Sequence, residues 1–463
     1  MSPTNILSET DKPEHEQTLL SLPDVPLLKV LAYLRLQDLG AAGLATPRLG
    51  ALTRTHSSLW RRPGKDKFES VERVADLLPV APPTDRLKLD VDCYVQGVGA
   101  SFEGCDSELV VQVPAAEDAA RLIPKLAPSL RHLNIFGLEI DELFHNLKAA
   151  RRIETLRANV LVSEENSKLL WPKGLVLASL HTLELECDED EPGEATLRAL
   201  RSMLRALSGL RSLKLTSAEL LPILDACPSG LRRLDVKAGE GVAKALRRLR
   251  GQLRELRIKM TWPWPHKEEV DDLLKSWSGP LERLELIGVT DSPLRLDGLP
   301  NLQDLVLHYF SHFPHGYCLA PTLAGLTRLR SLALLSAPAP AVLHDISCDV
   351  IPALELLVVG GIGGCGRSPC HSEDCPFAAK QDPVQLLEAL VRRAPQPLHA
   401  VSRLDCNTWS GPRLGWRVMF AHPEGPPGTE AETDCRLCRQ AAEAARFYSP
   451  PHRPIQVRGV QVR

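Results

Sequence analysis

The sequence is short of several things, and each shortage narrows the field. Aromatic residues are scarce, with 9 Phe, 5 Tyr and 7 Trp in 463 residues, so any sizeable core must be aliphatic. Neither sign of charge dominates: 55 Lys+Arg face 58 Asp+Glu, for a formal net charge of -3. No global field therefore draws the chain to nucleic acid or to an anionic membrane. Thirty glycines and 38 prolines are too few for a collagenous or low-complexity chain. Twelve cysteines are too dilute for a disulfide scaffold. The longest uncharged run, Leu305 to Thr327, holds His308, His312, His315 and two prolines, so it does not read as a membrane span. The opening residues, MSPTNILSETDKPEHEQ, carry acids where an export signal needs an apolar core. The expectation is a cytoplasmic or nuclear protein with reduced thiols.

Leucine is what the chain has in excess. There are 80, and 73 of them lie at or before Leu357. Their distribution divides the sequence. Residues 1–18 are polar and expected to be disordered; 19–62 are compact and Leu-rich; 63–86 read as a Pro-containing connector. Residues 87–360 hold a repeat, and 361–463 turn to Cys, Gly and Pro. Length alone would suggest about three domains, an estimate that fails for repeat architectures.

The repeat has the form Leu-x-x-Leu-x-Leu, with Ile, Val or Ala allowed. It reads Leu130/Leu133/Ile135, Ile153/Leu156/Ala158, Leu180/Leu183/Leu185, Leu210/Leu213/Leu215 and Leu231/Leu234/Val236. It continues as Leu253/Leu256/Ile258, Leu281/Leu284/Leu286, Leu302/Leu305/Leu307, Leu329/Leu332/Leu334 and Leu354/Leu357/Val359. Copies start 21 to 30 residues apart. Leu87, Leu89 and Val91 suggest an earlier, degenerate unit, and Val401, Leu404 and Cys406 a late one. In an extended segment residues two apart share a face, so the last two leucines of each motif point together while the first packs at the strand entrance. One short strand cannot bury three leucines, but a parallel stack can. Return segments must cover the stack. Leu197, Leu200, Leu204 and Leu207, and then Val270, Leu273, Leu274 and Trp277, fall at helical spacing.

This pattern resembles the leucine-rich repeat family over about 230 to 270 residues. The resemblance implies an α/β solenoid of short parallel strands with helical return segments. One feature departs from the family. The turn position three residues after the last strand leucine, often Asn or Cys, is here Leu138, Leu161, Asp188, Ala218, Gly239, Thr261, Val289, Phe310, Ala337 and Ile362. No asparagine ladder can form, and an irregular array is expected.

The same periodicity lists the residues expected on the concave face. The middle units offer Lys214, Arg233, Asp235, Lys237, Glu255, Arg257, Lys259, Arg283 and Glu285, a set that leans basic. The later units offer Val306, His308, Ala333, Leu335, Leu356 and Val358, mostly apolar. One reading is a solvated sheet face of mixed charge. The other is a recognition surface in which Lys214, Arg233, Lys237, Arg257, Lys259 and Arg283 meet an acidic or phosphorylated segment beside an apolar patch of Val306, Leu335 and Leu356. Apolar outward residues need cover. Part of residues 398–420, with Trp409, Trp416 and Phe420, is expected to fold back onto the last strands.

Near the start, LPDVPLLKVLAYL (22–34) carries Leu27, Leu28, Leu31 and Leu34 on one helical stripe, with Ser21 or Asp24 as candidate cap. A second amphipathic stretch runs from Asp38 through Leu39, Leu44, Leu49 and Leu52. These residues resemble the F-box family: Leu22-Pro23, a Leu-rich helix ending Tyr33-Leu34, Asp38-Leu39, and Leu59-Trp60 about forty residues on. Val25, Pro26, Leu49 and Ala45-Thr46-Pro47 depart from its pattern. The resemblance implies a three-helix module that docks a Skp-type adaptor of cullin-based ubiquitin ligases through Leu22, Pro23, Leu28, Leu31, Leu34 and Leu39. The plainer alternative is a helical cap for the array.

In the tail, Cys365, Cys370, His371 and Cys375 lie within eleven residues, and Cys435 and Cys438 form a C-x-x-C pair. Cys370, Cys375, Cys435 and Cys438 could hold a structural Zn²⁺, or could simply be reduced thiols. No catalytic signature appears. Gly360-Gly361-Ile362-Gly363-Gly364 lacks the Lys-Ser/Thr of a phosphate loop, and neither G-x-S-x-G nor H-E-x-x-H occurs. The resemblances together imply a non-catalytic substrate receptor of an SCF-type ubiquitin ligase, joining adaptor, and cullin through it, to a substrate protein. The alternative is a non-degradative protein-binding scaffold.

Overall fold

Three leucines per unit demand a partner surface on either side, and the chain meets that demand by stacking its units. A computed structural model describes residues 19–60, 65–66, 80–81, 86–91, 100–101, 108–113, 116–161, 171–172, 175–187, 192–260, 266–289, 294–309, 319–335, 346, 351–360, 390, 394, 398–405, 416–422 and 456–461. The chain divides into two units. One comprises residues 1–138 with 142–156, the other 139–141 with 157–463. No described helix is long and apolar enough to cross a membrane.

The first unit begins with three helices, α1 (Asp24–Leu31), α2 (Leu36–Ala45) and α3 (Pro47–Thr55), and a 3-10 turn at Ser57–Trp60. The stretch expected to run on from Asp38 is split in two. Pro47 has no N–H to continue a helix but suits a first turn, and Thr46 is extended, its hydroxyl accepting from Leu49 N at 3.3 Å. Neither expected cap acts on α1: Pro23 holds the N-cap position, without a side-chain bond, and Asp24 is the first helical residue. α2 and α3 approach closely at glycine. A Cβ on Gly50 would stand 2.7 Å from the Gly43 carbonyl oxygen, and one on Gly43 would stand 2.8 Å from Thr53 Oγ1. Leu59 and Trp60 close this small core, with Trp60 Nε1 donating to the Thr53 carbonyl at 2.9 Å.

The same unit holds β1 (Lys65–Asp66), β2 (Arg86–Val91), β3 (Ala100–Ser101), β4 (Glu108–Val113), α4 (Ala116–Leu126) and β5 (His132–Glu139). β2 lies between β4 and β5 and is parallel to both; β3 runs antiparallel to β4 and to β1. Leu87 pairs with Leu133 and Leu89 with Ile135, so the degenerate early copy is in register with the first full one. β4 occupies the outer side of β2 instead of following it in the stack.

At and beyond the boundary come α5 (Ile140–Leu147), β6 (Thr155–Leu161), β7 (Thr182–Cys187), α6 (Glu194–Ala206), β8 (Ser212–Leu215), β9 (Arg233–Lys237), α7 (Val242–Arg247) and β10 (Glu255–Lys259). Then follow α8 (Lys267–Lys275), β11 (Arg283–Val289), β12 (Asp304–Tyr309), α9 (Ala320–Leu323), β13 (Ser331–Leu335), β14 (Leu356–Gly360), β15 (His399–Asp405), β16 (Trp416–His422) and β17 (Gln456–Gln461). β7 to β15 pair in chain order, all parallel. The two strand positions of the motif stay in register throughout. Leu183, Leu213, Leu234, Leu256, Leu284, Leu305, Leu332 and Leu357 form one ladder, and Leu185, Leu215, Val236, Ile258, Leu286, Leu307, Leu334 and Val359 the other. Every motif residue whose burial is described is at most 1% exposed, apart from Leu354 at 6%. This is a leucine-rich-repeat-like α/β solenoid.

Its irregularity lies in the returns. The 30-residue unit from Leu180 fits the thirteen-residue α6, which buries Leu197, Leu200, Met203 and Leu204. The 21-residue unit from Leu210 returns instead through a 3-10 stretch, Ala218–Ala226, with Pro222 inside. α8 buries Val270, Leu273 and Leu274, with Trp277 just beyond it. Where the asparagine ladder is missing, backbone bonds knit the units. The carbonyls of His181, Arg211, Arg232, Arg254, Glu282, Gln303 and Arg330 each accept two N–H groups from the following unit. At the turn position itself small residues touch: a Cβ on Gly239 would stand 2.5 Å from Ala218 Cβ.

Two expectations about the tail need correction. β15 pairs Ala400 with Leu357 and Ser402 with Val359, so the late unit uses these small residues and not Val401, Leu404 and Cys406. Residues 399–405 and 416–422 extend the sheet sideways as β15 and the antiparallel β16, with β17 parallel to β16, instead of folding back over the last strands. Edge strands offer unpaired N–H and C=O groups that the next strand satisfies, which a segment laid across the face would not do. Trp409 lies outside the described residues.

The closest backbone approach gives a stability test. A Cβ on Gly279 would stand 1.7 Å from the Arg250 carbonyl oxygen, whereas Gly251 has nothing within 4 Å. Gly279→Ala should cost about 2 kcal/mol or more in chemical denaturation followed by circular dichroism, and Gly251→Ala should leave the midpoint nearly unchanged. Equal midpoints for the two variants would contradict the packing described.

Candidate functional site

The helical module presents its candidate contacts unevenly. Leu31 and Leu39 are 1% and 0% exposed, so these two are core residues of the module and not open contacts. The α1 stripe turns Leu27 and Leu31 inward because three short helices must close a core before offering anything outward. Leu22, Leu28 and Leu34 are half-buried, and Pro23 is exposed. Beside them Val25, Val30, Leu44 and above all Tyr33, 90% exposed, leave apolar surface in water. Arg48 holds the segment in place. Its guanidinium donates to the Leu22 carbonyl at 2.7 Å, to Asp24 Oδ1 at 2.6 Å and to the Leu20 carbonyl. One side chain on α3 thus fixes the backbone that carries Leu22 and Pro23. The F-box pattern did not flag Arg48, which sits in no apolar period.

On the array, the residue between the two strand leucines forms a row of alternating sign: Arg157, Glu184, Lys214, Asp235, Arg257, Glu285. Arg157 Nε lies 3.2 Å from Glu184, and Lys214 Nζ lies 2.6 Å from the same carboxylate. Arg257 bridges Asp235 at 3.4 Å and Glu285 at 3.2 Å. The preceding row repeats the theme: Arg233 meets Glu255 at 3.5 Å, and Arg283 stands in register with Asp304. Most cations of the expected basic patch are therefore neutralised by their neighbours, and the middle units present no broad positive field. Lys237 and Lys259, paired in register with each other, have no acidic partner among the described residues.

Burial modulates this face. Partial burial raises Asp235 above the ordinary carboxylate value, against the pull of Arg257, Lys214 and Arg233. Asp304 is raised the same way, opposed by Arg283. The row then turns apolar through Val306, Ala333 and Val358. Val306 is half-buried, while Leu356 and Val358 are 6% and 7% exposed and so largely covered. Leu335 pairs with His308 through the backbone, but its side chain lies outside the described residues. Burial lowers His308 below its ordinary value of 6.5, with Glu285 acting in the opposite direction.

The proposed zinc ligands Cys370, Cys375, Cys435 and Cys438, with Cys365 and His371, lie outside the described residues. Among the described residues no group of three or more His, Cys, Asp or Glu suits a metal. Cys227 is half-buried and its thiol is pushed up to about 12, first by desolvation and then by Asp225. It stays protonated near neutrality.

No protein-family model matches the chain, and no curated protein matches it significantly. Among solved structures, that of the TLR13–ssRNA13 complex is similar at 17% identity and a TM-score of 0.29, covering 53% of this chain and 34% of that one. The chain thus spans about a third of that neighbour's length, and a likeness so slight carries no argument. The repeat architecture rests on the strand registers.

His308 sets a pH dependence. Its folded-state pKa lies below the unfolded value, so the unfolded chain binds the proton more readily and stability falls as pH drops below 6.5. Asp235 and Asp304, raised in the fold, act in the opposite sense at lower pH, from above 3.8 downward. Thermal melts across mildly acidic pH should therefore decline, and His308→Leu should flatten the decline. An identical slope in both proteins would exclude His308 as its source.

Proposed function

We propose that this chain is the substrate-recognition subunit of an SCF-type ubiquitin ligase. The helical module docks a Skp-type adaptor, and the repeat array holds the substrate protein. The observation that carries this reading is the segment Leu22-Pro23, pinned by Arg48 beside a short helix that leaves Val25, Val30 and Tyr33 in water. Apolar side chains that a small helical unit does not bury itself are what a partner can cover. The ordered sequence pattern from Leu22-Pro23 to Leu59-Trp60 supports the same reading. The mechanism needs no catalysis by this chain. Tethering adaptor and substrate on one chain raises their effective concentration near the ubiquitin-charged enzyme.

A second reading, a non-degradative scaffold whose helices only cap the array, is favoured by Leu31 and Leu39 being internal. Capture of purified Skp adaptor by the full chain separates the two. Replacing Leu28 and Tyr33 together by Asp should abolish capture while the melting transition persists. Leu31→Ala is unsuitable, since it opens the module's core and costs about 2–5 kcal/mol. Adaptor retained by the folded double variant would remove the ligase reading and leave the scaffold.

The C-terminal cysteines Cys370, Cys375, Cys435 and Cys438 are proposed to hold a structural Zn²⁺, because four thiolates including a C-x-x-C pair suit its tetrahedral preference. Metal analysis of the purified chain should find stoichiometric zinc, lost in Cys435→Ser with Cys438→Ser. Its absence from the parent protein would end that proposal.

A further inference from the structure

Charge is balanced over the whole chain but not within it. Residues 198–259 contain fifteen Lys and Arg against five Asp and Glu, in a chain of net charge -3. The cross-strand rows of the concave face neutralise part of that excess. Another part stands elsewhere, on the edge where strands begin. The residue after each unit's first leucine lies on this edge, and its carbonyl joins successive units. In several places its side chain meets a carboxylate of the next unit: Arg254 with Glu282 at 2.5 Å, Arg330 with Glu355 at 3.8 Å, and, within the first unit, Arg131 with Glu154 at 3.1 Å.

At Arg211 and Arg232 that pairing is missing. Both are exposed, and neither has an acidic partner among the described residues. Arg232 donates to the Gln252 carbonyl at 3.1 Å, which places it against the turn before β10. Arg248 and Arg250 are exposed in that turn; Arg247 ends α7, and Arg205 lies in the last turn of α6. None of these four has an acidic partner among the described residues either. Six exposed arginines thus stand in the strand-entrance segments at Arg211, Arg232, Arg248 and Arg250 and in the last turns of α6 and α7.

We propose that this arginine edge, and not the concave face, is the docking site for an acidic polypeptide segment. The edge itself shows the chemistry: where an acid is available from the next unit, the same position takes it, and guanidinium forks suit carboxylate pairs. Single-stranded nucleic acid fits less well, since residues 198–259 contain no Phe, Tyr or Trp on which bases could stack. The inference rests on the array being a protein-binding surface and is independent of adaptor docking.

The full chain is titrated with a fluorescein-labelled oligoglutamate peptide, read by anisotropy, with labelled oligouridylate in parallel. Binding of the peptide should weaken about tenfold or more in Arg211→Glu with Arg232→Glu, and stay unchanged in Lys237→Glu with Lys259→Glu. Should the charge-reversed edge variant not fold, Arg211→Gln with Arg232→Gln decides. No peptide binding by the parent chain, loss only in the lysine variant, or tighter binding of oligouridylate would each overturn the proposal. Adaptor capture lost while peptide binding persists would remove the ligase reading and leave this one standing.

Discussion

In-register parallel stacking of short strands is the constraint on which the array depends. A strand as short as Glu255–Lys259 has only Leu256 and Ile258 on its inner face, and neither has a mate within its own strand. Each is buried by the same motif position of the units on either side. Burial of a leucine contributes about 2 kcal/mol before chain entropy is charged against it, so the gain comes only when several units are assembled together. The constraint acts on the strands and is mild elsewhere. A return can therefore be the thirteen-residue α6, the 3-10 stretch at Ala218–Ala226 or the short α7, provided it brings the next strand back in register.

Register also governs electrostatics. Neighbouring side chains across the sheet always come from the same motif position, so charges at that position must alternate in sign or repel. The row through Lys214, Asp235 and Arg257 alternates, with Glu184 shared between Arg157 and Lys214 and Arg257 shared between Asp235 and Glu285. Individually such half-exposed pairs are worth little, about 1 kcal/mol or less. Their collective effect is to cancel the field of the concave face. The strand-entrance edge has no such complete alternation, and local positive charge survives there.

The helical module obeys a different constraint. With so few residues it cannot both bury its leucines and offer them. It divides the tasks, keeping Leu27, Leu31 and Leu39 inside and leaving Val25, Val30 and Tyr33 outside. Close contact at Gly43 and Gly50 brings α2 and α3 together, and Arg48 ties the entering chain to α3. Any docking surface here is the remainder left after the module has satisfied itself.

The order of the ten motif copies and the identity of their buried strand leucines were legible in the leucine spacing, because a strand's two-residue period and a solenoid's repeat are both local in sequence; the late unit at β15, where leucine gives out, was not. The alternating row from Arg157 to Glu285 was legible too, had the motif copies been aligned and their middle residues read for sign. What the spacing could not carry was anything that depends on who sits beside whom. Ion pairing on the concave face, the covering of Leu356 and Val358, the sideways placement of β15 and β16, and the inward turn of Leu31 and Leu39 arise from contacts between distant segments. A sequence names each side chain's chemistry and period. Whether a given charge is free or a given leucine is open is decided by its neighbours in space, and only the tertiary structure supplies them.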